Sequence, residues 1–354
     1  MGSEVTQRVL FEQAGLPVLQ NRTYPSRDEA RNCVKGDVRL VEDLGSGLVY
    51  NAAFRPELVA YDSDYQNEQG LSPAFRVHLE AVADIVGRTL PRDGMVELGC
   101  GKGFFLEMLA ARNFDITGFD PAYEGSNPRI IKRHFDASVG MRAPGLVLRH
   151  VLEHIQDPVG FLFQIKRAND GGGRIYIEVP CFDWICAHRA WFDVFYEHVN
   201  YFRMADFHRI FGNVLECGHL FGGQYLYVVA ELASLREPAY AREDAVGFPP
   251  DFARGIAESG SAQSPHAAIW GAASKGVIFA MLKERAGQPV DFAIDINPAK
   301  QNAYLPATGL FVESPAAAMS KLPRGSTVFV MNSNYLEEIR RMSDNAFNYV
   351  EVES

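Results

Sequence analysis

The sequence predicts an α/β fold with two parallel sheets of the nucleotide-binding kind, preceded by a small irregular region. Three observations carry this reading. Met95-Val96-Glu97-Leu98 is a short apolar strand that runs into Gly99-Cys100-Gly101-Lys102-Gly103 and then a helical stretch with Phe105, Met108 and Leu109 on one face. A second strand, Asp115-Ile116-Thr117-Gly118-Phe119-Asp120, ends in an acid. That acid lies about 20 residues past the glycine turn, where a βαβ unit sets a carboxylate against ribose hydroxyls. Beyond residue 264 the strand–turn–helix pattern starts again at Ala267-Ala268-Ile269-Trp270.

The chain has 354 residues, 47% apolar and 22% charged, the balance of a globular protein of two or three domains. No apolar run reaches membrane-spanning length and the N-terminus lacks a signal-peptide pattern. Five scattered cysteines fit reduced thiols, so a cytoplasmic setting is expected. A formal net charge of -10 argues against a broad nucleic-acid surface. The expected partner is a small molecule, with neither nucleic acid nor membrane.

Residues 1–70 give weak, irregular signals. Val38-Arg39-Leu40-Val41 reads as a short strand, Gly45-Ser46-Gly47 as a turn, Leu48-Val49-Tyr50 as a second strand and Pro56-Glu57-Leu58 as a short helix start. Tyr61 and Tyr65 lie just before a polar stretch. Residues 74–90 carry helical periodicity, with Phe75, Leu79, Val82 and Ile85 as the core stripe.

Residues 71–232 form the first sheet domain. Asp136-Ala137 follows a third strand end. Gly145-Leu146-Val147-Leu148-Arg149-His150 is the fourth strand, and Asp157-Pro158 starts a helix. Arg174 to Pro180 is a fifth strand, and Val214–Cys217 with Gln224–Ala230 a closing hairpin. His150 falls at the carboxyl edge of the sheet, where open α/β sheets bind ligands. A helix through Val151-Leu152-Glu153-His154 would set His150 and His154 on one side. That suggests a metal pair, but the sequence offers no third ligand, and no metal is expected.

The segment Trp191 to Phe202 buries Asp193, Glu197 and His198 in an aromatic run. Apolar surroundings raise carboxylate pKa and lower histidine pKa, favouring neutral acid/base forms near pH 7. An aromatic core segment with a satisfied Glu–His pair is the plainer reading. Residues 233–264 read as a linker with a short helix, and 265–354 as a second, smaller Rossmann-like domain. Its turn Gly271-Ala272-Ala273-Ser274-Lys275-Gly276 can bind a phosphate through backbone amides, with Lys275 adding charge, or simply be compact.

The G-x-G-x-G turn with Glu97 before it and Asp120 after it resembles class I S-adenosylmethionine (SAM) methyltransferases. That resemblance implies a Rossmann-like SAM sheet. Glu97 would face the methionine amino group, Gly99, Gly101 and Gly103 would form the turn, Asp120 would hold the ribose, and Asp136 and Ala137 would meet the adenine. Three features together resemble the C-methyltransferases of nucleotide-linked keto-deoxysugars. They are the SAM motif, Glu197-His198-x-x-Tyr201-Phe202, and the tail Trp270 to Gly276 with Asp295-Ile296-Asn297-Pro298-Ala299-Lys300.

By that resemblance His198 is the base, with Glu197 beside it. Tyr65 and His150 are further catalytic candidates, and Tyr196, Tyr201 and Lys275 meet the substrate. The family's enolate-stabilising tyrosine falls on Phe195 here, with Tyr196 adjacent. The family also carries an N-terminal zinc on two Cys-x-x-Cys pairs. The second pair falls on Asp43 and Ser46 and the first is missing, while Cys33 alone cannot hold a tetrahedral zinc. The expected function is SAM-dependent C-methylation next to a ketone. The alternatives are O- or N-methylation of another small metabolite, or a scaffold protein with a degenerate SAM fold.

Overall fold

The computed structural model describes residues 6–60, 70–254, 256 and 265–352. They build three sheets. The first is antiparallel: β1 (Gln7–Pro17), β2 (Lys35–Asp43), β3 (Val49–Asn51) and β9 (Asn200–Tyr201), side by side in that order. The sequence pattern foresees β2 and β3 but misses β1, the longest of the four. Register shifts between Val9 and Phe11 and between Gln13 and Leu16 explain the miss. Each bulge inserts a residue and breaks the period-2 alternation by which a strand is recognised.

The second sheet contains β4 (Met95–Leu98), β5 (Ile116–Phe119), β6 (Ile130–Ile131), β7 (Gly145–Arg149), β8 (Arg174–Pro180), β10 (Val214–Leu220) and β11 (Tyr225–Glu231). Its order is β10-β11-β8-β7-β4-β5-β6. The strands from β4 to β8 are parallel, and β11 runs antiparallel to both neighbours. This order, with its edge hairpin, is that of class I methyltransferases, as expected. The helices Pro73–Thr89 and Phe104–Ala111 cover one face through Phe75, Leu79, Val82, Phe105 and Leu109.

The third sheet is wholly parallel: β12 (Ala267–Trp270), β13 (Phe292–Ile294), β14 (Val312–Glu313), β15 (Thr327–Val330) and β16 (Asn348–Glu351). Its order β14-β13-β12-β15-β16 reverses direction between β12 and β15. The helix Ser274–Arg285 that follows β12 is buried on most sides. Phe279 on it stacks on Trp191 with ring centroids 5.6 Å apart. The aromatic run is therefore part of one core that joins the second and third sheets.

Residues 233–254 are not a loose connection. The Val246 amide donates to the buried Glu42 carboxylate at 2.8 Å, Arg8 donates to the Val246 carbonyl at 2.6 Å, and the Tyr240 amide donates to the Gly45 carbonyl at 2.7 Å. The described residues of 232–264 include 3-10 turns at Leu232–Ser234 and Arg242–Asp244 and a helical residue at Ile256; residues 255 and 257–264, in the stretch expected to hold a short helix, lie outside the described residues.

The turn after β2 shows what holds the place where the family resemblance expects zinc ligands. Asp43 Oδ1 accepts from the amides of Gly45 at 2.8 Å and Ser46 at 2.6 Å and from the Ser46 hydroxyl at 3.0 Å. The Gly47 carbonyl accepts from the buried guanidiniums of Arg203 at 3.0 Å and Arg209 at 3.1 Å. No helix of the described residues is long and apolar enough to cross a membrane.

Candidate functional site

At the carboxyl end of β4 the chain turns sharply. Gly99 has φ +66°, and a Cβ there would sit 2.4 Å from Val151 Cγ2, so only glycine fits. Asp120, at the end of β5, accepts from the amides of Gly101 and Ala122, both at 2.8 Å. The carboxylate is thereby fixed beside the glycine turn. Glu97 is buried, and its Oε2 has no hydrogen-bond partner among the described residues. Burial pushes its carboxyl up to about 7, with Arg149 opposing and Asp120 assisting. Gly103 closes the turn at φ +85° as the residue before the helix Phe104–Ala111. Asp136 is exposed beyond β6, where it accepts from the Ser138 amide at 2.8 Å and pairs with Arg133 at 3.2 Å. Ala137, also exposed, begins the same 3-10 turn.

At the end of β7 the expected helix is a single 3-10 turn, Leu152–His154. His150 has φ +50°, a left-handed backbone conformation that lies outside any helix. His150 Nε2 lies 2.9 Å from Glu178 Oε1, and its Nδ1 lies 3.4 Å from Glu153 Oε1. His78 and Arg149 approach the same Glu178 oxygen at 3.2 Å each, and the Tyr176 hydroxyl donates to the other at 2.7 Å. Burial alone would depress His150, but Glu153 and Glu178 outweigh it and push it up to about 9. His150 is therefore an imidazolium at neutral pH and cannot accept a proton. Sequence reasoning missed His78, Glu153 and Glu178 because no local motif ties them to the site.

His198 is buried, its ring centroid 3.9 Å from that of Phe195 and 4.9 Å from that of His154. Desolvation, aided by His154, His150 and Lys275, holds its pKa well below the usual histidine value. It is neutral near pH 7, as the aromatic surroundings predicted. Glu197 is placed differently from the sequence reading. Its Oε2 accepts from the Gln20 amide at 2.9 Å, and its backbone carbonyl accepts from His154 Nδ1 at 2.8 Å.

Tyr196 and Tyr201 do not line the cavity described below. The Tyr196 hydroxyl accepts from the Arg55 amide at 2.8 Å, and the Tyr201 hydroxyl exchanges bonds with the Phe195 backbone at 3.2 and 3.1 Å. Both hydroxyls are already bonded to backbone groups. Tyr65 lies outside the described residues.

The third sheet contributes its switch point, the place between β12 and β15 where open sheets bind ligands. Asp295 accepts from the amides of Ala272 at 2.9 Å and Asn297 at 2.8 Å. Gly276 lies against the turn so closely that a Cβ would sit 1.9 Å from the Gly271 carbonyl oxygen. Lys300 is buried, with Nζ donating to Asn21 Oδ1 at 2.8 Å and the Ala272 carbonyl at 3.1 Å. Lys275 bonds Gln224 at 2.9 Å and pairs with Asp193 at 3.1 Å. A cavity of about 240 Å³ joins the two edges. His150, His154 and His198 line it on one side, and the Gly271 turn, Lys275, Asp295 and Lys300 on the other.

Residues 72–214 match the family described as "Methyltransferase domain". This stretch is a methyltransferase domain. The domain holds the glycine turn, Asp120 and all three cavity histidines. Solved structures similar to it include a magnesium protoporphyrin IX methyltransferase of Synechocystis with bound SAH, 14% identical over 47% of this chain and 89% of its own, with TM-score 0.36. A SAM-dependent methyltransferase of Archaeoglobus fulgidus is 18% identical over 45% of this chain and 100% of its own, with TM-score 0.33. The 1,6-didemethyltoxoflavin-N1-methyltransferase of Burkholderia thailandensis is 15% identical over 45% and 78%, with TM-score 0.33. No curated protein matches the chain.

Proposed function

We propose that the protein is a SAM-dependent C-methyltransferase acting next to a ketone of a nucleotide-linked deoxysugar. The observation that carries this reading is the shared cavity. It sets a neutral buried histidine of the methyltransferase domain across from a nucleotide-style switch point on the third sheet.

The residues at the glycine turn fit SAM on two counts. Glu97 presents a buried carboxylate oxygen without a partner among the described residues, and Gly101 leaves open space where a Cβ would sit, with no atom of the described residues within 4 Å of it. Glu97 would take the α-ammonium and Asp120 the ribose hydroxyls. Asp136 and Ala137 would meet the adenine. When bound, SAM supplies an electrophilic methyl on its sulfonium.

The chain's own residues supply the rest. His198 accepts the proton from the carbon next to the ketone, since its imidazole is held neutral and the residue lines the cavity. His150, held as a cation by Glu153 and Glu178, favours the negative charge that develops on the enolate oxygen. Open amides at the start of the helix Ser274–Arg285, with Lys275, favour the phosphates of the nucleotide. Methylation of a hydroxyl or amine needs no such carbon base, and the buried neutral histidine favours the carbon acceptor.

Calorimetry with SAM, followed by incubation of labelled SAM with a panel of nucleotide-linked keto sugars, tests the reading. Mass spectrometry should show one added methyl on carbon. Absent SAM binding would remove the enzyme reading, and label found on oxygen or nitrogen alone would remove the C-methylation.

A further inference from the structure

Glu153 takes no direct part in that chemistry, yet it is only 1% exposed and neither carboxylate oxygen has a hydrogen-bond partner among the described residues. The His150 cation faces one oxygen alone, and a buried carboxylate is costly while its other oxygen goes unmet. His150 Nδ1 stands 3.4 Å from Oε1, which leaves Oε2 open. Two imidazoles are close by. One ligand-type atom from each of Glu153, His154 and His198 lies within 4.8 Å of the other two.

His154 is already set for coordination. Its Nδ1 meets the Glu197 carbonyl at 2.8 Å, and a carbonyl only accepts. Nδ1 therefore carries the proton and Nε2 carries a lone pair. A metal-bound histidine is oriented this way, by a carbonyl on its second nitrogen. All three side chains line the cavity, which gives an ion its entry path.

We propose that Glu153, His154 and His198 form a binding site for a divalent transition-metal ion of the zinc type. Two imidazoles with one carboxylate suit such an ion and not magnesium or calcium, which prefer all-oxygen shells. Ligand atoms of a tetrahedral zinc lie roughly 3.4 Å apart, so atoms within 4.8 Å of one another need to close by at most about 1.4 Å. The neighbouring cluster His78, His150 and Glu178 is a poor rival, because the Arg149 guanidinium and the Tyr176 hydroxyl already occupy Glu178. A bound ion takes the His198 lone pair that the proposed base needs, so the loaded form would be silent in methyl transfer. That consequence rests on the proposed function; the site itself does not.

The test titrates the full-length, metal-free protein with cobalt(II), read by visible absorption and calorimetry. One ion per chain should bind, with nitrogen–oxygen d–d bands and no thiolate charge-transfer band. Glu153→Gln, His154→Gln and His198→Gln, each checked for folding by circular dichroism, should each weaken binding at least about tenfold. Three independent variants keep the test decisive if one fails to fold. Unchanged affinity in the folded variants, or a thiolate band that moves the ion to a cysteine, would overturn the site. SAM affinity of the metal-free protein is measured separately, so loss of the methyltransferase reading and loss of the metal site are distinguishable.

Discussion

His154 donates from Nδ1 to the backbone carbonyl of Glu197 at 2.8 Å, while the carboxylate of Glu197 accepts from the Gln20 amide at 2.9 Å. Glu197 thus orients the histidines through its main chain and ties down the N-terminal segment through its side chain. Adjacency in sequence suggested a Glu197–His198 pair. In the fold, the groups that act on the His198 charge are His154, His150 and Lys275.

The two neighbours should therefore separate on mutation. His198→Ala should lower turnover by roughly 10²–10⁴-fold with SAM affinity unchanged, the usual worth of a positioned base. Glu197→Gln keeps an acceptor for the Gln20 amide, so turnover should fall less than about tenfold. Its main cost should be stability, about 1–2 kcal/mol, from the weakened hydrogen bond to a charged acceptor. Steady-state kinetics and thermal unfolding check both. A Glu197→Gln enzyme as inactive as His198→Ala would return the carboxylate to the chemistry.

Asp120 should dominate the cofactor side. Its two oxygens are held by the amides of Gly101 and Ala122, so the carboxylate is pre-set for the ribose hydroxyls. Asp120→Ala should weaken SAM by about 1.5–3 kcal/mol, the worth of hydrogen bonds to a charged group. Calorimetry reads this directly, and unchanged affinity would remove Asp120 from the ribose.

Asp43 makes a structural prediction. Three hydrogen bonds converge on its Oδ1 in the turn that the family resemblance assigns to zinc ligands. Asp43→Ala should destabilise the protein by about 1–3 kcal/mol, because two backbone amides lose their acceptor. Thermal unfolding checks it, and an unchanged melting temperature would show that Arg203 and Arg209 hold the turn alone.

The parts legible in the sequence were those fixed by local pattern. The G-x-G-x-G turn, the acid at Asp120, the closing hairpin and the second parallel sheet all rest on short-range spacing, and the fold contains each of them. β1 was not legible, because its bulges scramble the alternation. The partners of the histidines were not legible either. His78 reaches Glu178 across 100 residues, and the cavity joins residue 150 to residue 300. Such meetings depend on topology, and no single motif encodes them. After β7, one left-handed residue, His150, precedes a 3-10 turn where the sequence suggested a helix, and both histidines still line the cavity.

Glu97 gives the pH prediction. Its carboxyl is raised by burial from an ordinary 4.5 to about 7, with Arg149 opposing and Asp120 assisting. Between those two values the folded chain holds a proton that the unfolded chain has released. The contribution to stability is therefore present at low pH and is lost as pH rises from about 4.5 through about 7. The loss is at most about 3–4 kcal/mol at about 1.4 kcal/mol for each pH unit. Glu97→Gln should flatten that part of the stability profile relative to the unmutated protein. Binding of SAM would bring an ammonium against Glu97 and favour the ionised form, so near pH 6.5–7 the complex should release a proton. Calorimetry at that pH, in buffers of different ionisation enthalpy, should then give buffer-dependent heats for the unmutated protein and a weaker dependence for Glu97→Gln. Heats that do not change with buffer in the unmutated protein would separate Glu97 from the methionine ammonium.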